Sequence, residues 1–93
     1  MLTALLLIKS KRSALAELGS RLAAVNGVSE VYSVTGEWDF VALVRVRRQQ
    51  QLAEVVTGQL ASMEGVKDTH TMVAFQQFSR HDLDAMFGLG AED

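Results

Sequence analysis

The chain has 93 residues, of which 48% are hydrophobic and 22% are charged, and it contains no cysteine. This length predicts one domain, and the lack of cysteine excludes a disulfide scaffold, a thiol nucleophile and a thiolate metal site. A formal net charge of −2 gives no general attraction to phosphate backbones, so nucleic acid is not expected as a direct ligand.

The first predicted elements are a strand and a helix. Residues 2–9 are almost entirely apolar, but this run is too short to span a bilayer and lacks the flanks of a signal peptide, so it reads as a strand and no membrane segment is expected. A helix follows, which Ser10 or Ser13 is predicted to cap and Gly27 to end. Its apolar stripe consists of Leu15, Leu18, Leu22 and Val25.

A hairpin comes next and is the most informative stretch of the chain. Two strand-like runs, residues 28–35 and 38–46, flank a short turn at residues 35–37. Gly36 can adopt a positive φ without steric cost, so the turn is placed there. Asp39 then places a carboxylate at the end of the sheet, where the second strand of the hairpin leaves the turn. A turn aspartate can equally well bond only to nearby backbone amides, so both roles remain open for Asp39 at this point.

The second half repeats the first. A helix is predicted over residues 48–63, closed by Gly65, and a fourth strand over residues 66–78. The sequence Val-Asn-Gly-Val at residues 25–28 returns 38 positions later as Met-Glu-Gly-Val. The order βαββαβ predicts an α+β, ferredoxin-like fold, with one four-stranded antiparallel sheet and both helices on one face. The apolar stripe of the second helix consists of Leu52, Val55, Val56, Leu60 and Met63.

The strands at residues 4–8 and 40–44 are apolar at consecutive positions, whereas a half-solvated antiparallel strand should alternate. Both faces of the sheet must therefore be shielded from water, and the two helices can shield only one of them. The pattern predicts a homodimer packed sheet to sheet, as in a dimeric α/β barrel. Residues 79–93 are predicted to be a separate tail with a short helix over 79–90, docked on its own dimer or on a neighbouring one.

The chain carries little catalytic chemistry. His70 and His81 have no recognised metal-ligand spacing, so we expect no metal, no cofactor and no catalytic residues. Thr69 and Thr71 lie two apart on one strand and share a face. Beside Asp39 they would suit an amino acid, with Asp39 toward the ammonium group and the hydroxyls and turn amides near Gly36 toward the carboxylate. The alternative is that both threonines merely suit a strand by their β-branching.

Three segments together resemble a known family. They are S-V-T-G-E-W-D-F at residues 33–40, the preceding G-V-S-E-V-Y, and G-V-K-D-T-H-T-M-V at residues 65–73. In this combination, residues 2–78 resemble the effector-binding domain, or RAM domain, of the Lrp/AsnC family of prokaryotic regulators. The resemblance makes residues 1–78 an effector-binding domain and leaves residues 79–93 as a tail.

The resemblance implies a ferredoxin-like subunit and a sheet-to-sheet dimer, often assembled further into a ring-shaped octamer. Small effectors, typically amino acids, are held between dimers in this family. The matching positions that would contribute to the cleft are Gly36, Asp39, Thr69 and Thr71. Tyr32, Val34 and Trp38 are further candidates by position only.

The usual family member carries a helix-turn-helix domain before the first strand, whereas this sequence begins at that strand. The resemblance therefore implies a stand-alone, cytoplasmic sensor that does not bind DNA itself, and that could form mixed oligomers with a full-length regulator. Two other functions remain open. One is a small enzyme of the dimeric α+β barrel type; the other is an assembly partner of a regulator that binds no ligand.

Overall fold

The computed structural model describes residues 1–80. Its four strands form a single antiparallel sheet in the order β2-β3-β1-β4, which confirms the ferredoxin-like βαββαβ prediction. The predicted tail helix lies almost entirely outside the described residues. In chain order the elements are β1 (Leu2–Ser10), a 3₁₀ helix (Arg12–Ala14), α1 (Leu15–Ala23), β2 (Val28–Ser33), β3 (Phe40–Val46), α2 (Gln49–Val55), a π-helix (Val56–Leu60) and β4 (Val66–Val73).

Alternation along the two central strands separates the faces of the sheet. Ala4, Leu6 and Ile8 of β1 are fully buried, and they pack with residues of both helices in one core. β3 contributes in the same way, with Ala42 and Val44 fully buried. Because side chains alternate along a strand, the residues between them lie on the opposite face, which we call the open face. Its apolar members are Leu5, Leu7, Val41, Leu43 and Met72, which are half-buried except for the exposed Met72.

Neither predicted serine caps α1. Ser10 is the last residue of β1, where its hydroxyl donates to the Lys11 carbonyl at 2.8 Å, and Ser13 lies inside the 3₁₀ helix. The chain enters α1 through that 3₁₀ helix with no side-chain cap on the α1 amides. The capping prediction was therefore wrong, because Ser10 belongs to the strand and Ser13 to the 3₁₀ helix.

The second helix and the fourth strand are shorter than predicted. The α-helix α2 ends at Val55, and the chain continues as a π-helix. This stretch contains β-branched residues and Gly58, which are poor α-helix formers. β4 stops at Val73, and the amide of Ala74 makes one last bond to the Thr3 carbonyl at 2.9 Å. Its partner strand begins at Leu2, so the residues after Ala74 have no strand to pair with there.

The internal repeat of the sequence is also a repeat of structure. Gly27 and Gly65 both have positive φ, +100° and +98°, as expected for glycines just past helix ends. The Gly27 carbonyl accepts from the Arg45 amide and the Gly65 carbonyl accepts from the Lys11 amide, each at 2.8 Å. Each half of the chain is thus bonded to the other at an equivalent point.

Candidate functional site

The hairpin loop occupies residues 34–39, because β2 ends at Ser33 and β3 begins at Phe40. It is longer than the turn predicted at residues 35–37, although Gly36 has the expected positive φ of +105°. The loop is closed by the Val34 amide, which donates to the Asp39 carbonyl at 3.0 Å.

Asp39 ties this loop to the end of β1. Its Oδ2 accepts a hydrogen bond from the Ser10 amide at 2.8 Å, and its own amide donates to the Ile8 carbonyl at 2.9 Å. The carboxylate therefore does bond a backbone amide, as one of the two sequence interpretations held. A carboxylate has several acceptor sites, so this bond leaves capacity for a further donor.

Beside Asp39 lies a cleft of about 550 Å³, which we call the hairpin cleft. It lies where the end of β1, the hairpin loop and the start of β4 come together. An ion pair of 3.8 Å joins Lys9 Nζ and Glu37 Oε2. The charged groups that line the cleft are the cations Lys9, Lys11, Arg12 and Lys67 and the carboxylates Glu37 and Asp39.

Trp38 lies on the open-face side of the hairpin. Lys9 Nζ is 5.5 Å from the centroid of the Trp38 ring, within the range of a cation–π contact, and the ring of His70 is 6.3 Å away and tilted by 44°. Trp38 therefore contacts a lysine that also lines the hairpin cleft, although the indole itself is not part of the lining.

The two threonines share a face, as the spacing predicted, but it is the face that carries the helices. Thr69 pairs with Ile8 and Thr71 with Leu6, both of which are buried beneath the helices. Neither threonine lines the hairpin cleft. Their part in ligand binding stays a prediction, as does that of Gly36 and Val34, which lie in the exposed loop.

Tyr32 lies on the edge strand β2, opposite Val41 and hence on the open face. Its hydroxyl donates to Glu30 Oε2 at 2.9 Å. This hydrogen bond raises the pKa of Tyr32 above its usual value, while the positive charge of Arg45 acts in the opposite direction. Tyr32 is thus engaged within β2 and is not part of the hairpin cleft.

Replacing Glu30 by glutamine should lower the pKa of Tyr32 toward the value of a free tyrosine, because the negative acceptor is lost. The pKa of Tyr32 is higher in the folded than in the unfolded chain. The hydrogen bond between Tyr32 and Glu30 therefore stabilises the fold fully at a pH below the unfolded pKa, and this stabilisation is lost as the pH rises through the folded pKa. The chain has a single tyrosine, so its ultraviolet absorbance reports the titration directly. An unchanged midpoint in Glu30→Gln, as in the control Glu37→Gln, would contradict this assignment.

Sequence reasoning missed most of the charged lining of the hairpin cleft. Lys9 lies near the end of β1, Lys11 and Arg12 follow that strand, and Lys67 lies at the start of β4. In a βαββαβ fold, β1 lies between β3 and β4 and runs antiparallel to both, so the end of β1 meets the hairpin and the start of β4. The predicted topology, applied to the charged residues, could have found this cluster.

Within residues 1–80, no group of three His, Cys, Asp or Glu side chains is placed to hold a metal ion. His81, and the aspartates that follow it, lie outside the described part of the chain. None of the helices described in the structure has the length and apolar character needed to cross a membrane.

The family model of the Lrp/AsnC ligand binding domain matches residues 3–83. Among curated proteins, the HTH-type transcriptional regulator FL11 of Pyrococcus furiosus is 34% identical over 73 residues, which are 78% of this chain and 48% of FL11. The chain spans about half or less of the length of the curated relatives it matches.

Two solved structures are similar over almost their whole length. The crystal structure of TTHA0845 from Thermus thermophilus has a TM-score of 0.80 and 44% identity, covering 86% of this chain and 100% of that one. The hypothetical protein PHS023 from Pyrococcus horikoshii has a TM-score of 0.75 and 28% identity, covering 87% of this chain and 98% of the other.

Proposed function

The chain belongs to the Lrp/AsnC ligand-binding domain family, and on that premise we propose that it binds a small effector of the amino-acid class at the hairpin cleft. Its curated relatives are named transcriptional regulators, which connects the family with transcription regulation and supports a binding role over a catalytic one. In this proposal the protein senses the effector in the cytoplasm and does not itself contact DNA.

The observation that carries the proposal is the presence of both charges in the hairpin cleft. An amino acid carries an ammonium group and a carboxylate a few ångströms apart. Asp39 and Glu37 offer acceptors for the ammonium, whereas Lys11 and Arg12 offer donors for the carboxylate. Charge-assisted hydrogen bonds of this kind are about twice as strong as neutral ones.

The proposal includes a homodimer formed through the open face. The centre of this face is continuously apolar, formed by Leu5, Leu7, Val41 and Leu43. Met72, which is 40% exposed, extends the apolar surface onto the edge strand β4. A second copy would remove this surface from water. The hairpin cleft lies at one end of the sheet, so a further assembly of dimers into a ring could bring subunits together around the effector.

Thermal unfolding of the intact chain against each of the twenty amino acids tests the effector. A ligand at about a hundred times its dissociation constant adds roughly 2.7 kcal/mol, which should raise the midpoint by several degrees. A selective rise with one or a few amino acids is expected. If no amino acid raises the midpoint of the folded protein, the proposed effector class is wrong, and a ligand-free partner of a full-length regulator becomes the better description.

Asp39→Asn is the variant to run in parallel. Asparagine keeps an oxygen that can accept from the Ser10 amide but removes the charge, so the fold should survive while affinity falls by about tenfold or more. Glu30→Gln removes one negative charge outside the cleft and serves as the control. Equal losses in the two variants would mean that total charge, and not Asp39, governs binding.

A further inference from the structure

A cleft of about 310 Å³ lies on the open face, at the end of the sheet opposite the hairpin, and we call it the open-face cleft. Its floor is formed by Thr3 and Leu5 of β1 and by their paired residues on β3, Arg45 and Leu43. Residues 74–77, which follow β4, form its side wall. None of these residues lines the hairpin cleft. The open-face cleft is therefore bounded partly by the sheet and partly by chain that has left the sheet.

The segment after β4 carries aromatic side chains that the subunit does not cover. Phe75 is fully exposed, at 100%, and Phe78, three residues further on, is 81% exposed. We call residues 75–78 the aromatic arm, and it begins just beyond the last backbone bond to β1. Within residues 1–80, Met1 is the other large hydrophobic residue exposed to this degree, at 84%, and it lines the same cleft. The most exposed apolar side chains thus gather at one end of the sheet.

Two phenylalanine rings in water indicate a surface that a partner covers. An aromatic side chain removes roughly 150 to 250 Å² from water when it is buried, and the phenyl ring has no polar atom that would gain from staying hydrated. Large exposed apolar patches are uncommon on monomeric proteins and mark interaction sites, and aromatic residues are enriched at the core of such sites. The aromatic arm has both properties.

The open-face cleft connects the aromatic arm with the surface proposed for the homodimer. Leu5 and Leu43 belong both to the cleft and to the centre of the open face. A second copy that covers these leucines therefore comes into contact with the wall of the cleft, which the arm forms. The polar floor residues, Thr3 and Arg45, lie near the end of the sheet, so they can stay hydrated at the rim of such an interface.

We propose that the aromatic arm packs against a second copy of the chain, so that each open-face cleft is closed by residues of the partner subunit. Phe75 and Phe78 are then interface residues, although neither belongs to the sheet. By twofold symmetry both copies contribute the same segment, and each copy holds the other by its sheet and by its arm. The inference rests on the proposed homodimer and adds to that interface a segment of chain beyond β4.

Phe75→Ala tests the arm by its effect on the dissociation constant of the dimer, measured by sedimentation equilibrium of the intact chain. Because a symmetric dimer would lose two rings, this constant should rise by about a hundredfold or more. The ring is fully exposed in the subunit, so the fold should not change, which circular dichroism checks. Leu15→Ala is the matched control: Leu15 is 43% exposed on α1, on the other side of the sheet, and its replacement should change the constant by less than about twofold.

Photo-crosslinking identifies what the arm contacts. p-Benzoylphenylalanine at position 75 should give a covalent dimer on irradiation, whereas the same group at position 15 should not. A cross-link confined to one chain, or no cross-link, would overturn the inference, because the ring would then not lie against a second copy. A dimer whose dissociation constant is unchanged in Phe75→Ala would overturn it too, and would leave the open-face dimer standing. If the unaltered chain is monomeric at micromolar concentration, the homodimer and the arm contact are both wrong.

Discussion

Gly65→Ala is expected to lower the free energy of unfolding by about 3 to 5 kcal/mol, from two independent sources. The φ of +98° is one that residues with a Cβ rarely adopt, and a Cβ built there lies 2.8 Å from the Cβ of Ala14. Ala14 is buried and its methyl group cannot rotate out of the way, so the backbone must shift. Urea unfolding at one fixed protein concentration measures the loss.

Gly36→Ala separates the two sources. Gly36 has a similar φ of +105°, but nothing lies within 4 Å of an added Cβ, so only the backbone strain of about 1 to 3 kcal/mol should appear. Gly58→Ala adds neither effect, since Gly58 has open space and no positive φ, and it should be neutral or slightly stabilising. If Gly65→Ala lowers the free energy of unfolding no more than Gly36→Ala does, the close contact with Ala14 does not contribute to the loss of stability.

Leu43→Glu is expected to convert the proposed homodimer into a monomer. Leu43 pairs with Leu5 at the centre of the open face, so a symmetric interface would receive two carboxylates at once. An unpaired charge at a buried position costs several kcal/mol, and about 4 kcal/mol already corresponds to a thousandfold weaker association. Native mass spectrometry or sedimentation of the variant, beside the unaltered chain, measures the assembly.

The control introduces the same charge on the other side of the molecule. Gln50 is exposed on α2, and Gln50→Glu should leave the mass of the assembly unchanged. The dimer proposal fails if the unaltered chain has the mass of one chain at micromolar concentration. If Leu43→Glu remains dimeric, the interface does not lie on the open face.

The topology could be predicted from sequence because two kinds of local signal agreed. The glycines at residues 27, 36 and 65 mark helix ends and a turn, and all three have positive φ. The apolar stripe of the first helix follows helical spacing, and its members Leu18 and Leu22 are fully buried. Such signals depend on single residues and their immediate neighbours, so they can be read without knowing the three-dimensional partners.

Helix starts and the lining of the site were predicted less well, because they depend on contacts distant in sequence. Ser10 resembles a helix cap in sequence, but it is the last residue of β1, where its amide donates to Asp39, 29 positions away, and its hydroxyl donates to the Lys11 carbonyl. Likewise, Thr69 and Thr71 were correctly placed on one face, while only the strand register assigns that face to the helix side. Lys9 and Lys67 are distant in sequence and line the same cleft because β1 pairs with β4.

The strand order has a consequence for how the chain can be divided. A cut within residues 34–39 would leave β1, α1 and β2 in one fragment and β3, α2 and β4 in the other. In the described sheet every pair of neighbouring strands, β2 with β3, β3 with β1 and β1 with β4, then joins one fragment to the other. Neither fragment keeps a strand pair of its own, so each should be unfolded alone and gain its structure only on meeting its complement. The domain is therefore a natural candidate for a split reporter, in which restored Trp38 fluorescence signals reassembly.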